Sequence, residues 1–139
     1  MAFEDALLSM VRPVSHAIVA WAVLPNHYHL LARVPSAKGV LTALGKLHGR
    51  TSHAWNGEEE KRGRQVWHRA AETVMKSERH FWATLNYVHH NPVKHGYAEK
   101  WQDWPFSSVH QFLADRGRAQ TIEIWKEYPV EEYGRGWDD

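Results

Sequence analysis

Apolar residues at Phe3, Leu7, Leu8 and Val11 have the three-and-four spacing of a helix face, and Pro13 stops that helix. From His16 the pattern changes. The β-rich runs "HAIVAWAVL" and "HYHLLARV" flank the turn signal Pro25-Asn26, so residues 16–34 predict a hairpin. Pro35-Ser36 breaks the second strand, and Ser36 can cap a helix with Val40, Leu44 and Leu47 on its core face. Gly39, Gly45 and Gly49 weaken that helix, which fades by Asn56-Gly57. "GEEEKRGR" reads as an exposed charged loop, and "QVWHRAAETVM" as a strand between breakers. Ser77 caps a helix, "ERHFWATLNYVHH", that buries Phe81, Leu85 and Val88. Asn91-Pro92 is expected to end it, because the residue before proline avoids helical geometry. Beyond Gly96, "WQDWPFSSVHQFLADRG" predicts a short helix ending at Gly117, then a tail with Trp125, Tyr128, Tyr133 and Trp137.

The 139 residues suit one domain with a real hydrophobic core, and neither repeats nor a linker interrupt them. The absence of cysteine excludes disulfides, thiolate metal sites and cysteine nucleophiles. The first residues, "MAFEDALLSM", carry acids where a secretion signal needs bases. The longest apolar run, Ala17–Leu24, is too short to span a bilayer, so the expectation is a cytoplasmic protein without membrane contact.

The net charge is only +1, but it is unevenly spread. Arg33–Arg79 holds ten Lys/Arg against five Glu, and Glu99–Asp139 holds five against nine acids. A basic middle and an acidic tail point to a polyanion-facing surface on one part only. The candidates for backbone phosphate contacts are Lys46, Arg50, Arg62, Arg64 and Arg69, each of which equally suits a solvated face. Eleven histidines and eight tryptophans are high for this length. Trp101, Trp104, Trp125 and Trp137 could stack bases, although packing of the C-terminal segment is the simpler use.

His27 and His29 stand one residue apart in the second strand. Strand side chains alternate faces, so both point one way and Tyr28 the other. Such a pair can hold one metal ion in cis, and equally serves as a surface or locally hydrogen-bonded pair. In "NYVHHNP", Tyr87 lies one helical turn from His90 and Asn91, on a stripe apart from Phe81, Leu85 and Val88. That stripe may be read as core rim and helix cap, or as chemistry. A tyrosine hydroxyl can attack a phosphodiester covalently. With a pKa near ~10 it needs a cation that draws charge onto the phosphate oxygens. Two histidines and an oxygen ligand tolerate Mg²⁺ or Mn²⁺, Mn²⁺ matching imidazole better.

"LPNHYHLL", then "RHFWATLNYVHHNPVKHGY" and "WQDWPFSS", resemble the REP-associated tyrosine transposases, a branch of the single-tyrosine transposases within the HUH endonucleases. The closing "YPVEEYGRGWD" is similar to the ends of one group of them, and the likeness covers residues 16–139. It implies His27 and His29 as metal ligands, Tyr87 as nucleophile and Asn91 as third ligand, with His90 in reserve. It implies an α+β, ferredoxin-like fold, an antiparallel sheet with helices packed on one face. The family's first strand has no counterpart before the helix at Phe3. A single domain over 1–139 is expected, with 97–139 as an extension packed on it. The implied activity is cleavage and rejoining of single-stranded DNA at REP or BIME hairpins by a monomer or homodimer, through a 5′-phosphotyrosine. Two alternatives remain: a relative that grips hairpins without cutting, and a metallohydrolase using His27 and His29 with His68 or His110.

Overall fold

A computed structural model of the chain describes residues 2–58, 75 and 77–130. In chain order these form α1 (Ala2–Val11), a 3-10 turn (Arg12–Val14), β1 (Ala17–Val23), β2 (Tyr28–Arg33) and α2 (Ala37–Glu58). Then follow α3 (Glu78–Lys94), a second 3-10 turn (Trp101–Asp103), α4 (Val109–Arg116) and α5 (Arg118–Glu127). The strand expected over 65–75 and most of the charged loop over 57–64 lie outside the described residues. The described chain divides into two compact units: α1 with α2, and the hairpin with α3 to α5.

In the first unit α1 packs on α2. Leu7, Leu8 and Val11 from one helix, and Ala43, Leu44 and Leu47 from the other, are its buried side chains. Both sets follow the predicted helical spacing. Fully burying one such leucine contributes about 1.5–3 kcal/mol. Glu4 and Asp5 in the first turn of α1 suit the positive end of the helix dipole.

The second unit carries the site. β1 and β2 form a two-stranded antiparallel sheet, so the α+β class and the hairpin are as expected. The Leu24 amide donates to the His27 carbonyl (2.8 Å) around the Pro25-Asn26 turn, and the His16 amide donates to Arg33 (2.7 Å) at the open end. Phe106–Ser108 runs along the other edge of β1. The Val23 amide donates to Phe106, the Ser108 amide donates to Trp21, and Ala22 bridges Ser107 antiparallel. Ala20, Ala22, Leu24 and Leu31 pack with Leu85 and Val88 of α3 in one apolar cluster.

Helix α3 begins as predicted, with the Ser77 hydroxyl accepting from the His80 amide (3.0 Å). Its end differs from the expectation. The helix runs through Pro92 to Lys94. Proline here lacks only the amide that would have reached Val88, and the last turn is closed further on. Gly96 (φ 76°) donates to Val93 (3.0 Å) and Tyr97 donates to Pro92 (2.9 Å), a Schellman closure that supplies the stop. Two further corrections concern the C-terminal segment. Gly117 (φ 81°) ends α4 as expected, but residues 118–127 form α5 rather than a tail. Asn86, buried on α3, holds it by donating to the Ile124 and Tyr128 carbonyls (3.1 and 2.9 Å).

Candidate functional site

Side chains alternate along β2, so His29 and Leu31 share one face, and the ring of His27, just before the strand, lies against His29. Leu31 belongs to the apolar cluster that includes Leu85 and Val88 of α3, and the histidines meet the same helix. The His27 and His29 rings meet edge to face, centroids 5.2 Å apart. The His29 ring meets Tyr87 in the same way at 5.3 Å. His27 Nε2 lies 3.0 Å from Asn91 Oδ1, and its Nδ1 lies 2.7 Å from Asn26 Oδ1. The four residues singled out in the sequence therefore converge.

Their burial differs from the expectation of a stripe apart from the core. Tyr87 is 5% exposed and Asn91 is fully buried. α3 is covered on two sides, by the hairpin and by α5, so its buried surface is wider than the Phe81/Leu85/Val88 stripe.

Two neighbours were missed. Lys94 Nζ donates to the Tyr87 hydroxyl oxygen (3.2 Å) and also lies over the Tyr87 ring, 4.9 Å from its centroid. His95 packs edge-on against His27 at 5.0 Å. The signal was present in "YVHHNPVKH": once α3 is continued through Pro92, positions 87, 91, 94 and 95 share a face.

A comparison with models of protein families finds no match. Among curated proteins, a Haemophilus influenzae protein named as a REP-associated tyrosine transposase is 31% identical over 119 residues. The match covers 78% of this chain and 68% of that protein. This chain belongs to the REP-associated tyrosine transposase family. The REP-associated tyrosine transposase of Escherichia coli K12 is 27% identical over 113 residues, covering 80% of this chain and 65% of its own. Among solved structures, a REP-associated tyrosine transposase bound to a REP hairpin matches with a TM-score of 0.66 and 26% identity. That match covers 81% of this chain and 66% of the solved one. The chain thus spans about two thirds of the length of these transposases.

In this transposase family member the donor set of His27, His29 and Asn91 fits a divalent ion. His27 Nε2 and Asn91 Oδ1 stand 3.0 Å apart, close enough that both would reach one ion. Both ring nitrogens of His27 face amide oxygens. If Nδ1–H donates to Asn26, the Nε2 lone pair is turned toward Asn91, and a cation between the two relieves their repulsion. That tautomer is the one a metal-bound histidine uses. Among the described residues no group of three or more His, Cys, Asp or Glu is placed to hold a metal, so a third donor beside the two histidines would have to be an amide oxygen such as that of Asn91.

The remaining candidates lie elsewhere. His90 Nδ1 accepts from the Trp101 indole (3.0 Å), and its ring packs on Trp125 at 4.9 Å. Burial, and then the charge of Lys94, lower its pKa. His110 is held by the Trp104 carbonyl (2.6 Å), and His68 lies outside the described residues. Trp101 and Trp125 pack edge to face with each other (5.0 Å), while Trp104 packs between Tyr97 and Phe106; Trp137 lies outside the described residues. Lys46 and Arg50 are exposed one turn apart on α2; Arg62, Arg64 and Arg69 lie outside the described residues. Tyr28, on the opposite face of β2, has its phenol pushed up by burial. No helix among the described residues is long and apolar enough to cross a membrane.

Proposed function

We propose that this chain cleaves and rejoins single-stranded DNA at REP-type hairpins, with Tyr87 as the nucleophile. The observation that carries the proposal is the convergence of Tyr87, His27, His29 and Asn91 on one face between β2 and α3. Family membership supports a transposase, and the REP hairpin in the related structure supports the substrate class.

In the cleavage step the Tyr87 oxygen attacks the scissile phosphorus. An oxygen–phosphorus bond to Tyr87 forms as the bond from phosphorus to the 3′-oxygen breaks. The phenol proton passes to solvent, and the 3′-oxygen takes one up to leave as a hydroxyl. The 5′-phosphate stays on Tyr87, so the bond energy is retained. Attack by a 3′-hydroxyl reverses the step and releases the tyrosine without ATP. A divalent Mg²⁺ or Mn²⁺ held by His27, His29 and Asn91 would draw charge onto the phosphate's non-bridging oxygens. The protein's own part is orientation. The edge-on His29 ring and the burial of Tyr87 restrict the Tyr87 ring, which lowers the cost of ordering it for attack.

The test is incubation of the chain with a hairpin-bearing DNA strand and Mn²⁺, followed by a denaturing gel. A band retarded by one protein mass supports the proposal. Hairpin retention in a native gel without that band leaves a binding protein only.

A further inference from the structure

We infer that Lys94 is a further catalytic residue, whose ammonium stabilises the negative charge carried by the Tyr87 oxygen in cleavage and in rejoining. The inference rests on the proposed role of Tyr87. It starts from where α3 ends. A helix stopping at Asn91 would leave Lys94 in a loop, whereas the helix through Pro92 brings it two turns above Tyr87 on the same face. A lysine in a last helical turn has an ordinary use, complementing the dipole beside the terminal carbonyls. Here the Schellman closure already serves Pro92 and Val93, and the lysine is turned back along the helix instead. Its Nζ donates to the Tyr87 oxygen at 3.2 Å, while His29 meets the same ring edge-on.

The chemistry places charge where the ammonium stands. Before attack the phenol loses its proton to solvent water, which leaves negative charge on the oxygen. As the new oxygen–phosphorus bond forms, that charge passes to the departing 3′-oxygen, which takes a proton from water. In rejoining, the tyrosine is the leaving group and departs as phenoxide. Lys94 keeps its own proton throughout. One donor therefore serves both directions, which suits an enzyme whose two half-reactions are mirror images. A donor aimed at developing charge is worth about 10²–10³-fold in rate.

The experiment compares the full chain with Lys94→Met, Lys94→Gln and Lys94→Arg. Covalent adduct formation on hairpin DNA with Mn²⁺ is read alongside hairpin affinity. Lys94 is an exposed residue, so the variants should fold, and a thermal melt checks each. Lys94→Met and Lys94→Gln are expected to form adduct about 10²–10³-fold more slowly. Hairpin affinity should stay within about threefold. Lys94→Arg should recover at least tenfold of the loss, and added ethylammonium should accelerate Lys94→Gln. Adduct at the normal rate in the folded Met or Gln variant overturns the role of Lys94 and leaves that of Tyr87 standing. Loss of rate matched by loss of affinity also overturns it, making Lys94 a DNA contact. No adduct with the unaltered chain overturns the role of Tyr87 and that of Lys94 with it.

Discussion

His27 Nε2 stands 3.0 Å from Asn91 Oδ1, across the contact between a strand and a helix. Two strand residues advance about 6.7 Å, and four helical residues advance about 6 Å. One strand repeat therefore matches one helical turn. His29 meets Tyr87, and His27, just before β2, meets Asn91 one helical turn on. The apolar cluster of Ala20, Ala22, Leu24 and Leu31 with Leu85 and Val88 joins the hairpin to α3 beside these contacts, although none of its members takes part.

Removing either histidine should abolish Mn²⁺ binding, measured by calorimetry. Both variants should still fold. A fall in melting temperature with unchanged Mn²⁺ binding would show that the pair serves the core instead.

His89 should make the fold acid-sensitive. Burial holds its pKa down at about 3, with Nε2 against the Ser108 hydroxyl (2.9 Å). The unfolded chain takes up a proton near pH 6.5 that the fold refuses. The stabilisation is therefore complete above about pH 6.5 and falls as the pH drops toward 3, by up to about 1.4 kcal/mol per pH unit. Urea unfolding from pH 7 to 4.5 should show this loss, and His89→Gln should flatten the profile by about one proton. Parallel profiles would contradict it.

Gly45 and Gly49 should be replaceable by alanine with a gain in stability. Among the described residues nothing lies within 4 Å of a Cβ added at either, and both sit inside α2. Each Gly→Ala change should add about 0.5–1 kcal/mol. A loss of stability would mean that α2 is approached closely at those positions.

Hairpin affinity should fall steeply with salt if the basic middle holds phosphates. Replacing exposed Lys46 and Arg50 together with Gln should make the slope of log K against log salt shallower by about 1.4. The double change Arg64→Gln with Arg69→Gln should act similarly. Preference for the hairpin sequence should survive, since phosphate contacts position a strand without reading it. An unchanged slope would place the DNA elsewhere.

The sequence carried the hairpin, the Ser77 cap and the Leu44/Leu47 face, because each follows from a period or a cap that needs only near neighbours; the convergence of Tyr87 with His27 and His29, far apart in the chain, followed only from the family resemblance. It misled where two rules competed. The rule for residues before proline argued for a stop at Asn91, but Gly96 at C′ supplies the stop, and the extra turn brings in Lys94 and His95. Helix α5 was hidden because "RAQTIEIWKE" is mostly polar, with Thr121 and Ile124 its only buried residues. Tyr87 and Asn91 were placed off the core stripe because a single stripe was counted, while α3 is buried by partners far along the chain.

The most direct test of the central claim is to digest the covalent protein–DNA adduct and locate the modified residue by mass spectrometry. The expected result is a phosphodeoxynucleotide on the peptide containing Tyr87, absent from Tyr87→Phe, whose hairpin affinity is unchanged because the ring still packs against His29. A modification on Tyr97 or Tyr28, or an adduct that persists in Tyr87→Phe, would contradict the assignment.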